Sequence, residues 1–536
     1  MRVGAMRSRS KVAVAVALVL GSLSSGEVLA QAASEGSDQE DLRRQVQELQ
    51  RQLQEVMSRL DAAERPAGAA APGPAVVPAP GPAPAVVPGS AAAEGPAKKV
   101  VADSPVIHAG PLSLTFGGFA ELATIYRNRD EVADVSSNFN TGIPYPNAAQ
   151  YHLTDFRLSA RQSRISLLTQ GPQDGDVSAE AYLEMDFQSA APTANSVESN
   201  SYNPRMRQYY ATYNRKDWGF YFLAGQAFSL VTLENKGMNP RQERIPLVID
   251  GQYVPGFSWT RNPQLRFVKS FGSDLALGVS LESPQAIVFN GPNPPLVTTV
   301  TSFPGGALFA PTTNYTVDIG PDVIAKLAWD PGYGHYELYG LGRAFRDRAG
   351  QRNHTSYGGG VGAGMILPFG PKVDFQVSGL AGSGIGRYGS AQLPDVTVKP
   401  DARLETISAY QALVGLIYRP TTAWTLYGYA GIENADREHF TAVVNGTTLG
   451  YGYGSPLYNN SGCLIEGSTL CAANTRRVEQ ATLGAWWKYY QGSLGYMQVG
   501  LQGAYTRRRS FEGIGGDPST DMTVGMVSFR YYPYQK

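Results

Sequence analysis

The sequence predicts an all-β fold: a sixteen-stranded antiparallel transmembrane β-barrel, preceded by a short N-terminal coiled-coil helix and a Pro/Ala-rich linker. Three observations predict it. Residues 177–187, VSAEAYLEMDF, alternate apolar Val177, Ala179, Ala181, Leu183, Met185 and Phe187 with polar Ser178, Glu180, Tyr182, Glu184 and Asp186, a strand period of two. Segments of this kind recur from about 112 to the end of the chain. Their connections are alternately short and long, the asymmetry of an outer-membrane barrel with tight periplasmic turns and extended outer loops.

The N-terminus comes first. Arg2, Arg7, Arg9 and Lys11 precede the apolar run VAVAVALVLGSL, and small residues follow at 28–32. That pattern predicts a secretory signal peptide over 1–30. Residues 41–64 then carry Leu42, Val46, Leu49, Leu53, Val56 and Leu60 at alternating spacings of 4 and 3, a heptad seam. The seam is read as an oligomerisation segment rather than a lone amphipathic helix. About three heptads are marginal alone, so a second oligomerising element is expected. Residues 65–105, rich in Pro, Ala, Gly and Val, cannot build a core and form an extended spacer.

The barrel is assigned to 110–536. Seven short connections (171–176, 215–219, 272–274, 330–334, 368–372, 419–423 and 491–495) carry turn residues. Eight long ones cover 127–154, 189–204, 230–263, 284–321, 347–356, 384–405, 436–478 and 508–520. Sixteen strands result, centred near 119, 162, 182, 209, 224, 267, 279, 326, 340, 362, 378, 412, 429, 485, 501 and 527. Aromatic residues near strand ends, among them Trp218, Phe222, Trp424, Trp486, Trp487 and Tyr532, suit an interfacial girdle.

Composition excludes other classes. Lys plus Arg and Asp plus Glu are 45 each, so the basic excess of a nucleic-acid binder is missing. The histidines, His108, His152, His335, His354 and His439, form no catalytic motif, so no enzyme is expected, and no cofactor. Cys463 and Cys471, in an exported chain, are expected to pair, although the residues alone leave this open; two thiols without a nearby His do not make a metal site.

The polar strand faces are ionic: Arg157, Arg161 and Arg164, then Arg205 and Arg207, then Arg266, Arg343 and Arg387 on later strands, with Glu121, Glu180, Glu184, Asp186, Glu282 and Glu433. Each would cost about 2–4 kcal/mol facing lipid near the midplane, so they are expected to line a water-filled lumen. Two roles are open to each, contact with solute or bracing of the wall. Arginine is the more concentrated, which leans toward anions. The third long connection, 230–263, holds Glu234, Lys236, Arg241, Glu243, Arg244 and Asp250 with hinge-like Gly237, Pro240, Gly251 and Pro255. Folded inward it would constrict the pore; the other reading is an exposed outer loop.

The fragments ARQSRISLLTQGP (160–172), AYLEMDF (181–187), RMRQYYATY (205–213), AGQAFS (224–229), LGVSLESP (277–284), GHYELYGLGR (334–343) and GSGIGRY (382–388) stand in an order and spacing that resembles trimeric sixteen-stranded bacterial porins, most closely the DcaP-like family. The resemblance covers nearly the whole chain. It implies an outer-membrane location with the coiled coil in the periplasm, homotrimers, an inward third loop, and passive diffusion of small hydrophilic solutes, often organic anions such as dicarboxylates. By matching position it places Arg161, Arg164, Arg205 and Arg207 in the lumen. A contact with the cell wall through the N-terminal segment is compatible with this arrangement. The ending FRYYPYQK departs from the family's usual terminal aromatic, which puts the assembly signal in question.

Overall fold

The computed structural model describes residues 106–189, 203–305 and 314–535. The predicted signal peptide, coiled coil and linker lie outside the described residues.

Sixteen antiparallel strands form one closed sheet. In chain order they are β1 (Leu112–Arg127), β2 in two parts (Asp155–Ser159 and Arg164–Gln170), β3 (Val177–Ser189) and β4 (Asn203–Arg215). Then follow β5 (Phe220–Phe228), β6 (Arg261–Phe271), β7 (Leu275–Glu282) and β8 (Asp322–Trp329). The next four are β9 (His335–Ala349), β10 (Arg352–Phe369), β11 (Val373–Ser383) and β12 (Ser408–Tyr418). The last are β13 (Trp424–Ala435), β14 (Thr475–Gly492), β15 (Gly495–Ser510) and β16 (Ser519–Tyr532). Each strand pairs with its sequence neighbour, and β16 returns to β1 with Tyr531 opposite Ala120 and Val524 opposite Arg127. Closure leaves no strand edge unpaired, which a sheet in hydrocarbon requires. All sixteen predicted strand centres fall within these strands or, for β2, at the break between its parts. There residues 160–163 leave the ladder, and the amide of Glu121 donates instead to Ser163 Oγ at 2.9 Å.

The burial pattern inverts that of a water-soluble sheet. Along β8 the buried residues are Asp322, Ile324, Lys326 and Ala328, and the exposed ones include Val323, Leu327 and Trp329. Outward Leu338, Leu416, Leu483 and Leu501 continue this apolar surface around the wall. A contiguous apolar outer face beside buried ions is stable when the outside is lipid and the inside is polar.

Three expectations need correction. The supposed long connection 347–356 is a two-residue turn: β9 and β10 pair through Ala349 opposite Arg352, and Gly350 and Gln351 both take positive φ, 53° and 67°. That twist suits a hairpin, so the polar text of this region belongs to strands rising beyond the apolar belt. Trp486 and Tyr532 do not join the girdle. Trp486 is buried and its Nε1 donates to Leu247 O at 2.7 Å, while Trp424 and Trp487 stack outside at 5.7 Å. Arg387 is not on a strand: β11 ends at Ser383, Gly384 turns at φ 70°, and Arg387 sits in the short 3-10 turn Gly386–Tyr388. The long connection 436–474 contains its own hairpin, Glu438–Val444 with Thr447–Tyr453, and Cys463 is disulfide-bonded to Cys471.

Candidate functional site

The inward faces of β1 to β4 bring the early charges together. The pleat points Glu184 and Asp186 of β3 to the same side as Arg205 and Arg207 of β4. A bulge in the β3–β4 ladder follows Glu184, and it turns both Arg207 and Gln208 inward. Arg207 Nε donates to Glu184 Oε1 at 2.6 Å and Nη1 to Asp186 Oδ2 at 3.0 Å. Arg205 holds Asp186 through two bonds, of 2.9 and 2.7 Å. Arg164 Nη1 lies 3.7 Å from Glu184.

The segment 229–260 meets inward-facing groups on walls far apart in the sheet. Arg241 reaches Glu180 at 2.9 Å, and Arg244 reaches Asp374 at 3.0 Å and Gln376 at 2.8 Å. The Leu247 amide donates to Tyr429 Oη at 3.1 Å. Ile249 accepts from Gln162 Nε2 at 2.5 Å and donates to Gln502 Oε1 at 2.6 Å. The Gly256 amide donates to Glu433 Oε1 at 2.8 Å. Nearer the turn side, the Gly237 amide donates to Asp330 Oδ2 at 3.0 Å and the Glu234 amide to Glu337 Oε1 at 3.0 Å. The wall is built to receive this chain: a Cβ on inward Gly431 would stand 1.8 Å from Pro255 O. Two non-glycine residues of the segment, Arg241 and Tyr253, take positive φ, 67° and 71°. Such conformations persist where surrounding contacts over-determine them, here Glu180 for Arg241, and Arg207 Nη2 at 3.3 Å for the Tyr253 hydroxyl.

Between this segment and the β16–β1–β2–β3–β4 wall lies a cavity of about 470 Å³. Arg164, Arg207 and Arg530 line one side with Gln162 and Glu184; residues 245–248, Asp250 and Tyr253 line the other. Arg530 was missed in the sequence reading. Its Nε is 3.1 Å from Glu121 Oε1, and its guanidinium lies over Phe119 and Trp486 at 4.8 and 4.5 Å. Strand alternation could have found it, since Met526, Ser528 and Arg530 share one face of β16.

The remaining predicted residues lie elsewhere. Arg157 pairs with Asp155 at 3.0 Å, and Arg161 pairs with Asp134 of the first long loop. Arg266 Nε donates to Gln264 at 3.1 Å, and Glu282 accepts the Leu230 amide at 2.9 Å. Arg343 binds Asp322 at 3.1 Å and Asp395 at 2.7 Å; Arg387 reaches Asn262 at 2.8 Å. These contacts pin loop 384–407 to the wall. Both carboxylate oxygens of Glu234 are buried without a hydrogen bond, and burial next to Glu243 holds its pKa well above the usual carboxylate range. Asp250 is also raised by burial, against hydrogen bonds from Ser137 and Gln252. In the first long loop, burial lifts Glu131 to about 7 despite Arg127.

Fold and interior together define a transmembrane β-barrel with a charged, segment-crossed lumen. No family model and no curated protein matches the chain. Among solved structures it is similar to the outer membrane channel DcaP of Acinetobacter baumannii, with a TM-score of 0.55 and 16% identity over 78% of this chain and 97% of that one. Lower similarities include an outer-membrane expressed OmpT of Vibrio cholerae (TM-score 0.42, 9% identity, 80% and 100% coverage) and an anion-selective porin from Comamonas acidovorans (0.40, 11%, 78% and 99%). The first of these establishes that the chain shares the fold of an outer-membrane channel, the likeness its sequence fragments had pointed to.

Proposed function

We propose that the protein is a porin of the outer membrane of a Gram-negative-type bacterium, passing small hydrophilic solutes by passive diffusion, with a weak preference for organic anions. The segment 229–260 acts as its constriction, and the chain assembles as a homotrimer assisted by the coiled coil. The observation that carries this reading is the cavity beside that segment: Arg164, Arg207 and Arg530 outnumber the carboxylates Glu184 and Asp250 along its lining. A polar, cation-rich gap in an otherwise crossed lumen is what a selective aqueous path requires. Glu184, Asp186 and Glu121 are already bound to these arginines, so most of their charge is met and the preference is weak.

The test is conductance of purified protein in planar bilayers. Stepwise openings in groups of three, with a reversal potential on the anion side under a salt gradient, are expected. Folded protein without conductance would overturn the porin reading, and a cation-side potential would overturn the anion preference alone.

A further inference from the structure

The outward face of β13 to β16 breaks its apolar rule near the loop-side ends. Register sets Asn434, Arg477 and Arg509 in one row across β13, β14 and β15. The next row toward the middle is Ile432, Glu479, Arg507 and Asp521, and the one after it Ala430, Ala481, Tyr505 and Thr523. Along β14 and β15 these residues alternate with buried Val478, Gln480, Thr506 and Arg508, so they point away from the lumen. Arg477 stands ten residues above Trp487 of the stacked Trp424–Trp487 pair. At about 3.3 Å per residue and a tilt of about 40°, that is about 25 Å, the height of the apolar belt. The arginines therefore stand at the belt's loop-side edge.

Directly beneath them is a shallow trough of about 460 Å³, floored by Ala412, Ala430 and Ala481, walled by Val414 and Tyr505, and ending on Arg507 and Arg509. Glu479 is shared by Arg477 at 3.4 Å and Arg509 at 3.5 Å. Asp521 is matched by Arg129 at 3.6 Å and accepts from Tyr505 Oη at 3.2 Å. The Arg507 side chain makes no hydrogen bond or ion pair among the described residues. Three arginines thus face one carboxylate not otherwise matched, at the height where hydrocarbon ends.

We infer that this trough binds a phosphorylated, multiply acylated glycolipid of the outer leaflet, with one acyl chain along Ala412, Ala430 and Ala481 and a phosphate held by Arg507 and Arg509. Both halves of the site are needed: a free phosphate leaves the trough empty, and an uncharged lipid leaves Arg507 uncompensated. The inference rests on the barrel's proposed outer-membrane location.

Native mass spectrometry of the full-length protein in detergent, titrated with bisphosphorylated lipid A, tests it. Saturable binding is expected, weakened about tenfold in the Arg507→Gln/Arg509→Gln double variant, where two exposed ion pairs are lost. Ala481→Phe, which fills the trough and keeps the charges, should weaken it likewise, and Arg507→Lys/Arg509→Lys should retain most of it. Inorganic phosphate should not displace the lipid. Undiminished binding of the double glutamine variant, or equal binding of dephosphorylated lipid A, overturns the site. Bilayer conductance of the same variants should be unchanged, because these side chains face away from the lumen. A variant that conducts without binding lipid supports the site, and wild-type protein that conducts without binding defeats it while leaving the porin reading intact.

Discussion

Arg207 Nε lies 2.6 Å from Glu184 Oε1, and the Arg207 side chain is 1% exposed. Both groups are nearly shut off from bulk water, so each compensates part of the other's buried charge. Replacing Arg207 by Met leaves Glu184 with Arg164 at 3.7 Å and the Tyr182 hydroxyl at 3.2 Å, and should destabilise the barrel by about 3 kcal/mol, as for other broken buried pairs. Arg205→Met is the control: that side chain is 35% exposed, Asp186 keeps Arg207, and the cost should be about 1 kcal/mol or less. Urea unfolding in lipid vesicles measures both. Adding Glu184→Gln to Arg207→Met should recover part of the loss, the coupling a double-mutant cycle detects.

Arg530 should set selectivity more than any arginine of the first long loop's edge. It lines the cavity, whereas Arg157 is bound to Asp155 outside it. A unit charge about 4 Å from a solute ion is worth about 1 kcal/mol in water-like surroundings, about fivefold in permeability. Arg530→Gln is expected to lower the anion-to-cation permeability ratio by about that factor, and Arg157→Gln to leave it unmoved. Reversal potentials under a salt gradient decide it. Equal shifts for both would mean that the ionic path does not run beside Arg530.

What the sequence carried and what it did not divide along one physical line. A strand's period of two is local, so VSAEAYLEMDF revealed its faces unaided, and Glu184 and Asp186 lie on the lumen side as their spacing requires. Turn chemistry is local too, and the strand order followed from it. The partner of a charged residue is not local. Nothing in RMRQYY announces the bulge that turns Arg207 and Gln208 to one side, and Trp486 looks like a girdle residue until the distant carbonyl of Leu247 claims its indole. Arg530 was legible by alternation but stood in a terminal segment read for assembly. Polar text alone cannot separate a loop from a strand that rises above the membrane, which is why 347–356 misled.

Glu131 makes the first long loop pH-sensitive. Burial raises its pKa from 4.5 to about 7, and its Oε1 accepts the Asn138 amide at 2.5 Å. The closed loop therefore binds the proton more tightly than an opened one. Closure is fully favoured below about 4.5 and weakens as pH rises through about 7, by up to about 1.4 kcal/mol per unit in that window. Hydrogen exchange of the Asn138 amide, corrected for its intrinsic rate, should show protection falling across this range in the wild type. Glu131→Gln should flatten the profile. A wild-type profile already flat would mean that Glu131 stays ionised in the closed loop.

Gly256 tests whether the inner segment governs flow. Its φ is 90°, and a Cβ there would come within 2.0 Å of the Ala412 carbonyl oxygen on β12 and 2.9 Å of the Ile432 nitrogen on β13. Both obstacles are wall backbone, held in the barrel ladder, so neither can give way cheaply. In Gly256→Val the strained φ and the clash act together, at a cost of about 1–3 kcal/mol for the backbone conformation alone, and the segment is the softer side of the contact. The amide bond from Gly256 to Glu433 should break and residues 250–258 should move off the wall. The sixteen strands do not depend on that contact, so heat-resistant barrel mobility in detergent should be kept. If the segment is the constriction, single-channel conductance and open-channel noise should both change; the direction follows whether the freed chain swings out of the gap or into it. Conductance and noise identical to wild type, in a variant whose segment has become protease-sensitive, would show that solute passes elsewhere and that 229–260 is a brace.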